Sequence, residues 1–340
     1  MGDDILPWHQ QAFQALWERR DGLPHALLLH GRAGIGKQRF AAGLARALLC
    51  ETPTPAGPCG GCPSCGWFAA GHHPDFLKIE PTALDVPEEG EETPKADKKK
   101  PSVQIAVEQV RGVADFLAVS THRGGSRPVL IHPAEALNTS AANALLKNLE
   151  EPPPHTVFLL VSHRPNQVLA TIRSRCQLVP LRMPTAAEAK GWLDAEGVAD
   201  ADLALAYGGG APLRATEPPV ENYWALRRQV LRHFADPRLD ALSAAESGVD
   251  AGVPLVLEWL QKWTYDLALH RLTGEVRYNV DQRAALDRLA PATDPVRILR
   301  LHREVTGMQR HAHHPLNARL FLEQLMMTYA DALAPARSSR

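Results

Sequence analysis

Four of the five cysteines in this chain fall between residues 50 and 65, as Cys50, Cys59, Cys62 and Cys65. Their spacing is C-x₈-C-x₂-C-x₂-C. Thiolates are soft ligands, and four of them with no open position describe a structural Zn²⁺ site. Pro58, Gly60, Gly61 and Pro63 lie between the sulfurs and let a short chain fold around a tetrahedral ion. Free thiols, paired disulfides or an iron–sulfur cluster would use the same residues and stand as alternatives. His72 and His73 are close enough in sequence to compete for a ligand position. With four cysteines available, they read as loop residues ahead of a strand. Cys176 lies far from the group.

A second pattern precedes the cysteines. Gly31-Arg32-Ala33-Gly34-Ile35-Gly36-Lys37-Gln38 matches G-x-x-x-x-G-K and then departs from it at Gln38, where the motif has Ser or Thr. Gly31, Gly34 and Gly36 allow backbone N–H groups to wrap a phosphate at a helix N-terminus, and Lys37 would meet the outer phosphates. The missing hydroxyl is the Mg²⁺ ligand, and Gln38 is too long to replace it in the same geometry. The other half of such a site is an apolar strand ending in acids. Here Val129-Leu130-Ile131 runs into His132-Pro133-Ala134-Glu135, so no carboxylate ends that strand. Two independent losses to one metal-dependent reaction predict a site that does not hydrolyse ATP. ATP or ADP binding without turnover stays open, as does a tight turn retained for packing alone.

These residues need elements to position them. Leu6, Trp8, Phe13, Leu16 and Trp17 are the apolar positions of a short amphipathic helix over residues 5–20. His25–His30 suits a buried parallel strand, and Phe40, Leu44 and Leu48 mark a helix over 37–49. Strand, glycine-rich turn and helix open an α/β nucleotide-binding domain. Further strands are predicted at 76–79, 129–131, 156–161 and 177–181, with helices at 106–119, 140–150 and 168–173. Residues 82–101 hold six acids, four lysines and three prolines, and predict a mobile insertion. After Pro184 the strands end. The fold class is therefore an α/β P-loop domain with a parallel sheet and helices on both faces (1–182), a small helical domain (183–218) and an all-α domain (219–340).

Composition narrows the function classes. The chain has 340 residues, 37 Lys+Arg and 38 Asp+Glu, for a formal net charge of −1. That excludes coating of nucleic acid by bulk positive charge. A hydrophobic fraction of 45% excludes disorder of the whole chain. No stretch approaches the roughly 20 apolar residues of a membrane span, so no membrane partner is expected. The acidic start, Met1-Gly2-Asp3-Asp4, lacks an apolar signal core, which points to the cytoplasm.

With its motifs in this order, the chain resembles the delta-prime subunits of the bacterial DNA polymerase III clamp loader, which are AAA+ proteins. The resemblance rests on His25-Ala26-Leu27-Leu28, the altered phosphate loop, the four-cysteine module and Gly71-His72-His73-Pro74-Asp75. Ala144–Pro153 (ALLKNLEEPP) and Leu169–Cys176 (LATIRSRC) complete it, and are its most specific stretches. Together they span roughly residues 20–182. The resemblance implies that Arg175, in Ser174-Arg175-Cys176, serves in trans as an arginine finger toward ATP bound by a neighbouring gamma/tau motor subunit. A surface or interface salt bridge is its plainer reading. The resemblance also implies a rigid ring member beside the delta subunit and a C-terminal collar. Through the complex it implies work on the sliding clamp and primed DNA. Arg214 lies near the place of a second-sensor arginine, but the register is ambiguous by one residue. Ser162 stands about where a first sensor would be.

Two rival readings make different demands. An active motor ATPase of the same family would carry Ser or Thr at position 38 and acids at 132 and 133. A zinc-dependent nucleic-acid-binding module would be basic near the cysteines, yet Lys78 is the sole Lys or Arg between 50 and 80. Weaker signals have plain readings. His311, His313 and His314 read as a solvated helix-to-loop junction, Lys98–Lys100 as a solvated tract, and Trp224, Trp259 and Trp263 as core or interface residues.

Overall fold

The computed structural model describes residues 5–84, 102–119, 121–122, 125–216, 220, 222–309, 312 and 317–333. Residues 85–101 of the predicted insertion, with Lys98–Lys100, lie outside the described residues, as do His311, His313 and His314. The chain forms two compact units, residues 1–188 and 189–340.

The first unit is built on a parallel sheet of β1 (Ala26–His30), β2 (Leu77–Ile79), β3 (Arg127–Ile131), β4 (Thr156–Ser162) and β5 (Gln177–Pro180), in the order β2-β3-β4-β1-β5. Every residue of β3 and β4 is buried. That explains why they read as apolar runs rather than alternating ones, since a parallel sheet is covered on both faces. Helices α1 (Gln10–Trp17), α2 (Lys37–Leu49), α3 (Pro63–Ala69), α4 (Val107–Ala118), α5 (Thr139–Glu150) and α6 (Ala170–Arg173) complete the unit. The side chain of Asn138 caps α5 by accepting from the Ala141 N–H at 2.8 Å, and the prolines at 152–154 stop it. Helices α4 and α5 contribute Val110, Val113, Leu117, Ala141, Leu145 and Leu149 to one core with Val129, Ile131, Phe158 and Leu160 of the sheet.

Register decides what the sheet can bring together. His30 pairs with Ser162, Ile131 with Leu160, and Ile79 with Ile131. The residues just past these pairs share one edge of the sheet, at the carboxyl ends of the strands, where ligands bind in open α/β sheets.

The second unit is helical: α7 (Ala186–Ala195) enters it, followed by α8 (Ala201–Gly208), α9 (Leu213–Thr216), α10 (Tyr223–Phe234), α11 (Ala241–Gly248), α12 (Val253–Thr273), α13 (Arg283–Ala292), α14 (Pro295–Met308) and α15 (Ala318–Leu333). Its main core surrounds α12. Trp263 donates to Tyr329 Oη at 2.7 Å, and Trp259 to Tyr223 Oη at 3.1 Å, so both indoles are buried and satisfied. A smaller core joins Ala189, Leu193, Ala201, Ala204, Leu205 and Ala215. No helix among the described residues is long and apolar enough to cross a membrane.

Candidate functional site

The phosphate loop joins β1 to α2. A Cβ on Gly31 would sit 2.6 Å from the Leu181 carbonyl oxygen, and Gly36 holds φ at +91°, so both positions require glycine. Lys37 does not reach outward. It is 2% exposed, and its Nζ donates to the Arg32 carbonyl at 2.6 Å, within the loop itself. Burial lowers its pKa to about 8, against an opposing pull from Glu135. The N-terminal segment packs on the same loop. Trp8 Nε1 donates to the Ile35 carbonyl at 2.9 Å, and the buried His9 ring sits edge-on to Phe40 with centroids 5.7 Å apart. Burial pushes the His9 pKa down to about 4.

The strand edge beside the loop holds a carboxylate that the sequence alone did not place there. The tip of β3 carries His132 and Pro133, as read from the sequence, but β2 ends one residue before Glu80. Because Ile79 pairs with Ile131, Glu80 arrives beside His132. Its Oε1 accepts from Gln38 Nε2 at 2.8 Å and lies 3.0 Å from His132 Nδ1, while Oε2 pairs with Lys78 at 2.5 Å. Burial alone would raise the Glu80 pKa. The hydrogen bonds from His132 and Lys78, with their charges, outweigh it and hold the carboxyl below its ordinary range. Both oxygens are thus engaged by protein donors. Gln38, which replaces the metal-binding hydroxyl, is one of those donors. Glu135 accepts from the His163 N–H at 2.9 Å, and the His132 and His163 rings meet edge-to-face at 5.3 Å. The buried Ser162 hydroxyl accepts from the Arg164 N–H at 3.1 Å. Glu80 and His163 were missed by pattern reading. The available signal was the acid directly after a short apolar strand, and it needs the strand register to be interpreted.

The four cysteines converge. Cys50 caps the C-terminus of α2 and Cys62 the N-terminus of α3, with Pro63 at the first helical position. The four sulfurs lie within 4.8 Å of one another, and the Cys50 and Cys62 sulfurs are 3.9 Å apart. A tetrahedral site with bonds near 2.3 Å has sulfur–sulfur edges of about 3.8 Å, so the spacing fits a tetrathiolate ion site. Backbone N–H groups are aimed at the sulfurs. Cys59 donates to Cys50 at 3.2 Å, Cys62 to Cys59 at 3.4 Å and Cys65 to Cys62 at 3.4 Å. Hydrogen bonds from the Thr52 side chain and from the Gly61 and Cys62 amides bring Cys59 down to about 6. Burial pushes Cys50 up to about 12. None of the four is joined in a disulfide. His73 is committed elsewhere, with Nε2 2.5 Å from Ser64 Oγ and Nδ1 accepting from the Asp75 N–H at 3.0 Å. Ser64 in turn donates to the Leu49 carbonyl at 2.7 Å, which locks α3 onto α2.

Arg175 follows α6, and its side chain is 35% exposed. Cys176 beside it is half-buried, and burial raises its thiol to about 11. In the second unit Arg214 pairs with Glu258 at 3.1 Å. Glu258 also holds Lys262 at 2.7 Å, and the Lys262 ammonium stands 3.3 Å above the Tyr207 ring.

A family model described as DNA polymerase III, delta subunit matches residues 9–185, and one described as DNA polymerase III, delta subunit, C terminal matches residues 221–330. The chain is 36% identical over 347 residues to DNA polymerase III subunit delta' of Pseudomonas aeruginosa, covering 98% of this chain and 99% of that one. It is 31% identical over 340 residues to DNA polymerase III subunit delta' of Escherichia coli K12, covering 97% and 96%. DNA polymerase III subunit tau of E. coli K12 is 34% identical over 152 residues, 45% of this chain and 20% of tau. Among solved structures, a DNA polymerase III gamma subunit-related protein of Thermotoga maritima superposes with a TM-score of 0.50 at 17% identity. That match covers 96% of this chain and 100% of the other, and it is a likeness of fold.

Proposed function

Because the chain belongs to the DNA polymerase III delta-prime family, we propose that it serves the clamp loader as a subunit that does not itself hydrolyse ATP. The observation that carries this reading is the closed polar network at the phosphate loop. Lys37 is spent on the Arg32 carbonyl, and both Glu80 oxygens are taken by Gln38, His132 and Lys78. Phosphoryl transfer needs a metal to neutralise charge on the β- and γ-phosphates. A carboxylate already paired on both oxygens and a lysine turned inward are poorly arranged to supply a metal and a cation at the phosphates.

On this reading Arg175 works in trans. It stabilises charge on the phosphate transferred in a neighbouring gamma/tau subunit. The delta subunit adjoins the chain in the ring, and the sliding clamp and primed DNA are handled by the complex in the cytoplasm. Cys50, Cys59, Cys62 and Cys65 hold a structural Zn²⁺. When bound, that ion supplies a cross-link between the end of α2 and the start of α3. Residues 1–182 act as the AAA+ domain, 183–218 as the lid and 219–340 as the collar. Arg214 belongs to a lid-to-collar contact through Glu258 rather than to a nucleotide sensor.

The test is ATP hydrolysis by the purified chain alone, and then with tau or gamma, delta, clamp and primed DNA. The expected result is no turnover alone and stimulation in the complex, with that stimulation lost in Arg175→Ala. Arginine fingers contribute roughly 10³-fold or more at the interface they serve. Hydrolysis by the isolated chain would replace this reading with an active motor.

A further inference from the structure

Arg175 is held at two points. Its Nη2 lies 2.5 Å from Glu150 Oε1, and its Nη1 donates to the Thr171 carbonyl at 2.9 Å. Glu150 is the last residue of α5, so its carboxylate faces the negative end of the helix dipole, where cations are favoured. Glu151 follows it and adds a second negative charge. Helix electrostatics therefore disfavour Glu150 where it stands, and Arg175 is the partner that compensates. The post is firm. His25 Nε2 meets the Leu149 carbonyl at 2.9 Å, the Glu151 N–H donates to the Lys147 carbonyl at 3.1 Å, and α6 packs on α5.

We propose that Glu150 is the positioning residue for Arg175. It holds the guanidinium in one orientation before a phosphate arrives and yields it when one does. The inference rests on the arginine-finger reading above. The exchange is physically reasonable because the pair is exposed, at 35% and 49% for the two side chains. An exposed ion pair shifts an equilibrium by at most about fivefold. Such a contact orders a side chain but cannot compete with a multiply charged phosphate that binds the same planar fork. An arginine left without this post samples many rotamers, and a small misplacement of a catalytic group is costly in rate.

The experiment is steady-state ATP turnover by the complete complex, with the full-length chain as wild type, Glu150→Ala, Glu150→Gln, Arg175→Ala and the Glu150→Ala/Arg175→Ala double variant. The expected result for Glu150→Ala is a kcat lowered about two- to fivefold with KM for ATP unchanged. Glu150→Gln, which retains an acceptor, falls less. The double variant matches Arg175→Ala, because Glu150 acts only through that arginine. If Glu150→Ala leaves kcat unchanged or raised while Arg175→Ala abolishes stimulation, the positioning role is wrong and the finger stands. If Glu150→Ala lowers turnover further in the Arg175→Ala background, the role is structural and the inference fails. If Arg175→Ala leaves turnover intact, the finger reading itself fails and removes the basis of the inference.

Discussion

At the scale of single residues, the phosphate loop shows how much a motif discloses and where it stops. Gly31, Gly36, Lys37 and Gln38 are legible because their roles depend on positions adjacent in sequence. Glu80 is not, because it reaches Gln38 only through the pairing of Ile79 with Ile131 and the curvature of the loop. The missing acid at the tip of β3 was read correctly, while the carboxylate supplied by the next strand was invisible. His9 illustrates the same limit, since a histidine in an amphipathic helix carries no sign that its ring will be fully buried. It carries a testable consequence. Its folded pKa of about 4 lies below the ordinary value of 6.5. The unfolded chain therefore takes up a proton as pH falls through 6.5, while the folded chain resists until about 4. The stability from neutral His9 is complete above 6.5 and is lost as pH falls through that window, by roughly 3 kcal/mol. His9→Leu, close in volume and never charged, should lose about 5 °C less in melting temperature than wild type between pH 7.5 and 4.5. Equal pH dependence in the two proteins would show that the ring is hydrated.

Elements were the most legible level. The strands and the helices that flank them follow from apolar runs, capping residues and proline stops. The last turn of α5 ends where Pro152 requires it. The helix inside the cysteine module, α3, escaped pattern reading because its seven residues are too few for a 3.6-residue period to declare itself. Its start is fixed instead by Cys62 and Pro63, whose types also suit a metal loop. That double use would make the element depend on an ion bound by the four cysteines. Between Cys50 and Cys62 the backbone is ordered by the short turn from Thr54 to Gly57, by Trp17 Nε1 donating to the Thr54 carbonyl at 3.1 Å and by N–H groups aimed at the sulfurs, with no helix or strand of its own. Treatment with a strong chelator, or Cys65→Ser, should lower the melting temperature and open residues 50–65 to protease while the parallel sheet persists, as for other small metal-ordered modules. Elemental analysis should return one zinc per chain. Protein prepared without chelator and found free of zinc, yet resistant in this segment, would show that packing alone orders the module.

At the scale of the whole molecule, the sequence divides into 1–182, 183–218 and 219–340, while the two compact units meet at 188/189, near the first of these boundaries, with most of 183–218 in the same unit as 219–340. The joining of those two stretches has a local cause. Tyr207 on α8 and Arg214 on α9 meet Glu258 and Lys262 on α12, and Tyr207 also sits edge-to-face on Tyr223 and Trp224. Composition marks where a domain boundary could fall, but not which side chains pack across it. The contact is demanding, because burial lowers the Lys262 pKa to about 8 and Glu258 is its nearest compensating charge. Removing one partner of a buried pair leaves the other uncompensated, at roughly 3–5 kcal/mol. Glu258 keeps 24% exposure, so the low end applies. Glu258→Ala should therefore destabilise the second unit by about 3 kcal/mol, seen as a fall of several degrees in its helical melting transition. Lys262→Met in the same chain should restore much of that loss, because no buried cation then remains and the methionine still covers the Tyr207 ring. If the double variant melts as low as Glu258→Ala, the loss comes from packing around Arg214 and Tyr207. If neither variant shifts the transition, α8 and α9 are tied to α12 by their apolar contacts alone.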